Sequence, residues 1–162
     1  MTRRDFGQWM AGLFCVCWAS GVIADSTSNW VMQDMAGKTH QLSRYKGHWL
    51  VVNYWVPWCP PCLEEIPELV AFYDEHHQQH VMVLGVAVRY ESEKSVRDFA
   101  EDMLISYPVI LGDAQKTPLP RPEVLPTTYI YHPDGHLYQV KRGTVSKHWL
   151  EQLLTEAASG PR

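Results

Sequence analysis

Trp49-Leu50-Val51-Val52-Asn53-Tyr54-Trp55-Val56-Pro57-Trp58-Cys59-Pro60-Pro61-Cys62-Leu63-Glu64-Glu65-Ile66-Pro67 is the stretch that decides the fold. Trp49 to Trp55 is an apolar run long enough for a buried strand. The run breaks at Pro57, presents Cys59 and Cys62, and continues in a helical pattern. A helix that starts there exposes unpaired N–H groups and the positive end of its dipole. A thiol at that point is pushed towards thiolate, the reactive form. Cys59 therefore sits where a nucleophilic cysteine belongs, and Cys62, one turn on, can close a disulfide with it. Pro60 and Pro61 suit a first helical turn, where a missing N–H is of little consequence.

Two other chemistries compete with redox exchange at this pair. A structural zinc site needs four ligands, and so a second Cys or His pair. The remaining cysteines, Cys15 and Cys17, lie in an apolar N-terminal segment, and His76, His77 and His80 fall at and beyond the far end of the following helix. An inert staple is the other alternative, but a bridge closing so short a loop constrains the unfolded chain only slightly. Redox chemistry is favoured over both, with no metal expected at the pair.

The block from Trp55 to Pro67 resembles the active site of the thioredoxin superfamily, specifically the TlpA/ResA/CcmG (DsbE)-like branch of extracytoplasmic thiol–disulfide oxidoreductases. Asn53 stands six residues before Cys59, where cytoplasmic thioredoxins carry a buried aspartate. Glu65 stands three residues after Cys62, where ResA-like proteins carry an active-site glutamate. Leu125-Pro126-Thr127-Thr128 resembles the family's cis-proline loop followed by its next strand. The resemblance runs from about Trp30 to the C-terminus. It implies an α/β, thioredoxin-like fold: a central mixed sheet flanked by helices, with an N-terminal β-hairpin and a central strand–helix insertion.

The 162 residues fit one domain plus an N-terminal extension. With 46% hydrophobic and 20% charged residues, the chain can form a packed core and is not disordered in type. A formal charge of −4 gives no electrostatic case for nucleic acid. Residues 1–24 read as a signal peptide or N-terminal anchor: Arg3 and Arg4 lead an apolar stretch from Trp9 to Ile23, and Val22-Ile23-Ala24 resembles a signal-peptidase site. Thr2 to Phe6 resembles the twin-arginine export motif, from which Gly7 and Gln8 depart. The apolar run is short for a membrane span, and an uncleaved anchor is the alternative to cleavage. Cleavage after Ala24 would leave Cys59 and Cys62 as the only cysteines, which suits a redox centre in an exported protein.

Residues 25–29 form a polar linker, and 30–162 the folded domain. Trp30–Met32 and Thr39–Leu42 are expected to pair as a hairpin around Ala36-Gly37-Lys38. The helix after the motif is expected to run from about Pro60 to Gln79, with Leu63, Ile66, Leu69, Val70 and Tyr73 as its core-facing stripe and a kink at Pro67. Val81 to Val88 reads as a strand covered on both faces. A helix over Glu93–Met103 and a strand over Pro108–Leu111 follow. Pro118, Pro120, Pro122 and Pro126 exclude a regular helix before the cis-proline, where relatives in the resembled branch carry a short one. A hairpin over Thr127–Tyr131 and Leu137–Lys141 then turns at Pro133-Asp134-Gly135, and a helix from Ser146 to Ala158 closes the chain.

These residues imply an exchange mechanism. The Cys59 thiolate attacks a partner's disulfide, and Cys62 resolves the mixed disulfide. Glu65, one turn beyond Cys62, is the candidate for proton traffic, its carboxyl raised by burial, with Glu64 facing elsewhere. Asn53 cannot titrate, and hydrogen bonding within the core is its expected role. The cis-proline turns the Leu125 backbone towards the disulfide, where an extended substrate can pair. Trp58, Pro60, Pro61, Leu125 and Thr127 are the candidate substrate contacts; Cys59, Cys62, Glu65 and Pro126 the candidate catalytic residues. The resemblance further implies a periplasmic or otherwise extracytoplasmic reductant, acting on disulfide-containing partner proteins in apocytochrome c or respiratory metal-centre assembly. A membrane thiol transporter would supply its electrons; no cofactor and no membrane contact beyond the N-terminal segment are called for. The alternatives are a disulfide-forming oxidant and a copper(I) metallochaperone using Cys59, Cys62 and a histidine.

Overall fold

The computed structural model describes residues 30–113 and 121–160. Residues 1–24, the linker 25–29 and Pro118 and Pro120 lie outside them. The apolar run becomes strand β3, Trp49–Trp55, buried along all but its first residue. Burial on both faces explains why it does not alternate in polarity. The second apolar run is β4, Val81–Ala87, paired parallel to β3. Between them runs helix α1, Pro60–His76, the crossover that a parallel pair requires. Strand β5, Val109–Leu111, continues the parallel side beside β4. Strands β6, Thr127–Tyr131, and β7, Leu137–Arg142, add an antiparallel side, giving the order β5-β4-β3-β6-β7. The expected central mixed sheet is therefore present.

Helices cover both faces. Leu69 and Phe72 of α1 join Leu150 and Leu153 of the closing helix α3, Lys147–Ser159, against Val51, Val83 and Ile130. On the other face, Val96 of helix α2, Glu93–Asp102, packs with Leu50, Val52, Tyr54 and Val86. The N-terminal hairpin covers the same face: β1, Val31–Gln33, and β2, Thr39–Gln41, bring Trp30 and Met32 into this core. The hairpin is fastened to the sheet edge by Met35 N–H donating to Val109 O at 2.9 Å. Inside it, His40 is fully buried, with Nε2 2.8 Å from the Asp34 carboxylate and Nδ1 against the Tyr45 hydroxyl. Ser146 caps α3 by accepting from Trp149 N–H at 3.2 Å. At the start of α2, Ser92 and Ser95 bond reciprocally to each other's backbone N–H.

Two expectations for α1 need correction. Its buried residues are Cys62, Glu65, Ile66, Leu69 and Phe72, whereas Leu63 is exposed and Val70 and Tyr73 are half-buried. The helix is thus rotated relative to the stripe read from hydrophobicity. Its phase is set at its first turn, where Cys62 is tied to Cys59 and points inward, so Glu65 and Phe72 take the inner face. The helix also ends at His76 rather than Gln79. After it the chain turns through His80, at φ 63°, whose carbonyl accepts from Trp49 N–H at 2.8 Å, the start of β3. Pro67 sits on the exposed side of α1, and the helix continues through it.

Candidate active site

The site lies where β3 ends and α1 begins. Cys59 is the residue before the first helical turn, in an extended conformation (φ −97°, ψ 110°), and Pro60 opens the helix. The helix therefore starts abruptly at the cysteine; Pro60 and Pro61 carry no N–H, so what it presents to the sulfur is the positive end of its dipole. Cys59 and Cys62 are joined as a disulfide, with Cα atoms 5.2 Å apart. Cys59 is 8% exposed and Cys62 1%. Any partner must therefore meet the Cys59 sulfur first.

Across the pair stands the loop before β6. The Leu125–Pro126 peptide is cis, and Leu125 O lies 4.0 Å from Cys59 Sγ. The loop is held from both sides: Pro126 O accepts from Gly143 N–H at 2.9 Å, and the Thr127 hydroxyl donates to Val124 O at 2.7 Å. Thr127 is buried, with its hydroxyl engaged inside the loop, so its side chain is not displayed to a partner. Pro60 and Pro61 are exposed beside the disulfide, and Trp58 is exposed to 64%.

Beneath the cysteines lies a buried polar group. In the pairing of β3 with its neighbours, Asn53 stands opposite Thr128 on one side and Gly85 on the other. Glu65, 1% exposed, comes down onto this row from α1. Asn53 Nδ2 donates to Glu65 Oε1 at 2.6 Å and to Thr128 Oγ1 at 3.0 Å. Thr128 Oγ1 in turn donates to Glu65 Oε1 at 3.3 Å. Both donors converge on one oxygen, and among the described residues Glu65 Oε2 has no close hydrogen-bond partner. Burial raises the Glu65 carboxyl from 4.5 to about 8, against the lowering effect of the Thr128 and Asn53 hydrogen bonds and of the nearby Val145 backbone N–H. Around neutral pH the carboxyl is therefore held mainly in its neutral form. Glu64, next in sequence, is exposed. Gly85 leaves room beside this row: a Cβ there would stand 2.8 Å from the Tyr107 ring and 2.9 Å from Trp55 Nε1.

A rim of charged residues frames the same end of the sheet. The Trp58 indole donates to Arg89 O at 3.2 Å, and Arg89, at φ 52°, donates its own N–H to the Asp113 carboxylate. Arg121 reaches Asp113 at 2.8 Å and Gly112 O at 3.0 Å. The loops after β4 and β5 and the approach to the cis-proline are thereby tied together. Thr128, Arg89, Asp113 and Arg121 were not among the residues expected from the sequence. Thr128 stands inside the quoted Leu-Pro-Thr-Thr block, but only strand register shows which residue it opposes.

The AhpC/TSA family model matches residues 23–140. The thiol–disulfide oxidoreductase ResA of Geobacillus kaustophilus is 33% identical over 134 residues, covering 82% of this chain and 76% of that protein. Among solved structures, a DsbF homologue from Corynebacterium diphtheriae is 26% identical with a TM-score of 0.68, covering 80% of this chain and 84% of that one. A secreted thiol–disulfide isomerase from Corynebacterium glutamicum superposes with a TM-score of 0.67 at 23% identity, covering 76% of this chain and 80% of that one.

Proposed function

This chain belongs to the AhpC/TSA family and is a ResA-like thiol–disulfide oxidoreductase of the thioredoxin superfamily; from that premise we propose that it is exported and reduces disulfides in partner proteins through Cys59 and Cys62. One observation carries the proposal. The disulfide opens a helix facing the Leu125 carbonyl of the cis Leu125–Pro126 peptide, above a buried, protonatable carboxyl that hydrophobic surroundings alone would not require.

In the reduced protein, the Cys59 thiolate attacks one sulfur of a partner's disulfide. A mixed disulfide forms and the partner's other sulfur leaves as a thiolate, which takes up a proton. Cys62 must then lose its proton to attack Cys59 Sγ. That step releases the second partner sulfur as a thiol and leaves the Cys59–Cys62 disulfide. Glu65 lies three residues after Cys62 and on the same inner face of α1. Its value of about 8 lies close to an ordinary thiol, the match that favours transfer between them in either direction. We assign the ionised fraction of Glu65, about a tenth of the molecules at pH 7 for a value near 8, as the acceptor of the Cys62 proton, with Asn53 and Thr128 positioning the carboxyl through Oε1. Leu125 offers backbone groups to an extended partner segment, and Trp58, Pro60 and Pro61 form the surface it would cover.

Export is supported by the pattern of residues 1–24 and by the secreted relative from C. glutamicum. In an oxidising compartment a reductant needs its own electron supply, for which a membrane thiol transporter is the fitting class of donor. Apoproteins whose thiols await haem or a metal are the fitting class of substrate. The copper(I) reading would need a histidine beside the cysteines. Among the described residues, neither group of three metal-ligating side chains includes Cys59 or Cys62.

The equilibrium reduction potential of the Cys59–Cys62 pair, titrated against glutathione or dithiothreitol, tests the direction. A reductant should lie well below a glutathione poise of about −220 mV. A value near the roughly −120 mV of strong periplasmic oxidants would overturn the assignment and make the protein a disulfide donor.

A further inference from the structure

We propose that the β6–β7 turn carries a second site, separate from the thiols, at which His132, Asp134 and His136 bind a divalent transition-metal ion such as Zn²⁺. The sequence here is His132-Pro133-Asp134-Gly135-His136. Gly135, at φ 98°, reverses the chain, and His132 N–H donates to His136 O at 3.0 Å. The two histidines therefore face each other across the mouth of the hairpin. Their rings lie 5.0 Å apart and nearly parallel, at 26°. The Asp134 carboxylate sits between them: His132 Nδ1 is 3.0 Å from one oxygen, and His136 Nδ1 touches the other.

These are three ligand atoms within 4.8 Å of one another. Bonds of about 2.0–2.2 Å to a tetrahedral ion put neighbouring ligand atoms somewhat over 3 Å apart, so an ion would enter by replacing the contacts that His132 Nδ1 and His136 Nδ1 make with the Asp134 carboxylate, an oxygen of which also accepts from His136 N–H at 3.0 Å. Two imidazoles and one carboxylate suit Zn²⁺, Ni²⁺ or Cu²⁺ better than Mg²⁺ or Ca²⁺, which prefer oxygen throughout. Three protein ligands leave a fourth position to solvent.

The turn is also held in place. Pro133 O accepts from Gly47 N–H at 2.7 Å, which anchors the turn to the loop before β3. The Trp49 ring meets His132 edge-on at 5.0 Å and Tyr138 at 5.3 Å, restricting the imidazole from behind. The other three-ligand group, Glu75, His76 and Glu151, is less suited. There Lys147 already pairs with both carboxylates, and an incoming cation would have to displace it. The proposed site flanks Trp49, at the start of β3, whereas the cysteines follow its end at Trp55. The length of the strand, roughly 20 Å at the usual rise, separates ion from disulfide. Bound metal should therefore leave thiol chemistry untouched.

The test is calorimetric titration of Zn²⁺ into the whole, untagged chain in its oxidised state, in which Cys59 and Cys62 are not available as ligands. His132→Ala, His136→Ala and, as control, His76→Gln are titrated alongside, with folding checked by circular dichroism. One equivalent should bind to the unsubstituted protein. Loss of a ligand in either of the first two variants should weaken it by about tenfold or more, and the control should bind as before. Absence of binding, undiminished affinity in either His132→Ala or His136→Ala, or loss of binding in His76→Gln would each overturn the proposal.

Discussion

Glu65→Gln isolates the energetic consequence of burying a carboxyl beneath the redox pair. Glu65 titrates at about 8 in the folded protein against an ordinary 4.5 when unfolded. Between these values the folded state holds a proton that the unfolded state has released. The stability associated with this group is therefore fully present below about pH 4.5, and it is lost as pH rises through about 8. Each pH unit across the window corresponds to about 1.4 kcal/mol. About 3 kcal/mol is thus forfeited by pH 7, and between about 4 and 5 kcal/mol by pH 9. Glutamine keeps a carbonyl oxygen for Asn53 and Thr128 and is neutral at every pH, so its stability does not follow this titration. Urea unfolding of the oxidised protein and the variant, at intervals from pH 4 to 9, measures the difference. No thiol of the pair titrates in that state, and other ionisable groups cancel in the comparison. Wild-type stability should fall relative to the variant across the window, and the variant should be the more stable at pH 9. Parallel pH profiles would refute the account of a neutral, buried Glu65. The same variant tests the proton route, because disulfide exchange should slow and its pH profile lose a group near 8. Unchanged exchange kinetics would remove Glu65 from the mechanism even if the stability result held.

Cys59→Ser should abolish disulfide exchange, whereas Cys62→Ser should retain attack and accumulate a mixed disulfide visible by non-reducing electrophoresis; trapping through Cys62 in Cys59→Ser would reverse the two roles. Gly85→Ala would press a methyl group against Tyr107 and Trp55 beside Asn53, and should destabilise the protein by about 1–3 kcal/mol in denaturant unfolding. A neutral result there would show that the Tyr107 ring is free to withdraw.

The elements legible in the sequence are those whose evidence is local. The strand at Trp49–Trp55, the helix opened by Pro60, the Ser146 cap and the turn at Asp134-Gly135 each follow from a few neighbouring residues. The ends and phase of α1 were less legible. Hydrophobicity placed Leu63 and Tyr73 inward, because a periodic pattern cannot register that Cys62 is tied inward by its partner or that Glu65, a charged type, is buried. The hairpin was found one residue out of place, within the usual uncertainty of short strands.

By itself the sequence determined the chemistry: two cysteines two residues apart at a strand–helix junction, a proline downstream to face them, and an asparagine that cannot titrate. Each is a matter of residue type and spacing along one chain. Only the tertiary structure decided what surrounds that chemistry. Sheet register sets Asn53 opposite Thr128, 75 positions apart in the chain, and directs both at a single Glu65 oxygen. It also joins Arg89, Asp113 and Arg121 from three loops into one rim, and stands Trp49 behind His132. The physical reason is that pairing between distant strands depends on how the whole core packs. A one-residue slip would reverse which face each of these side chains occupies, and no local stretch of sequence states that register.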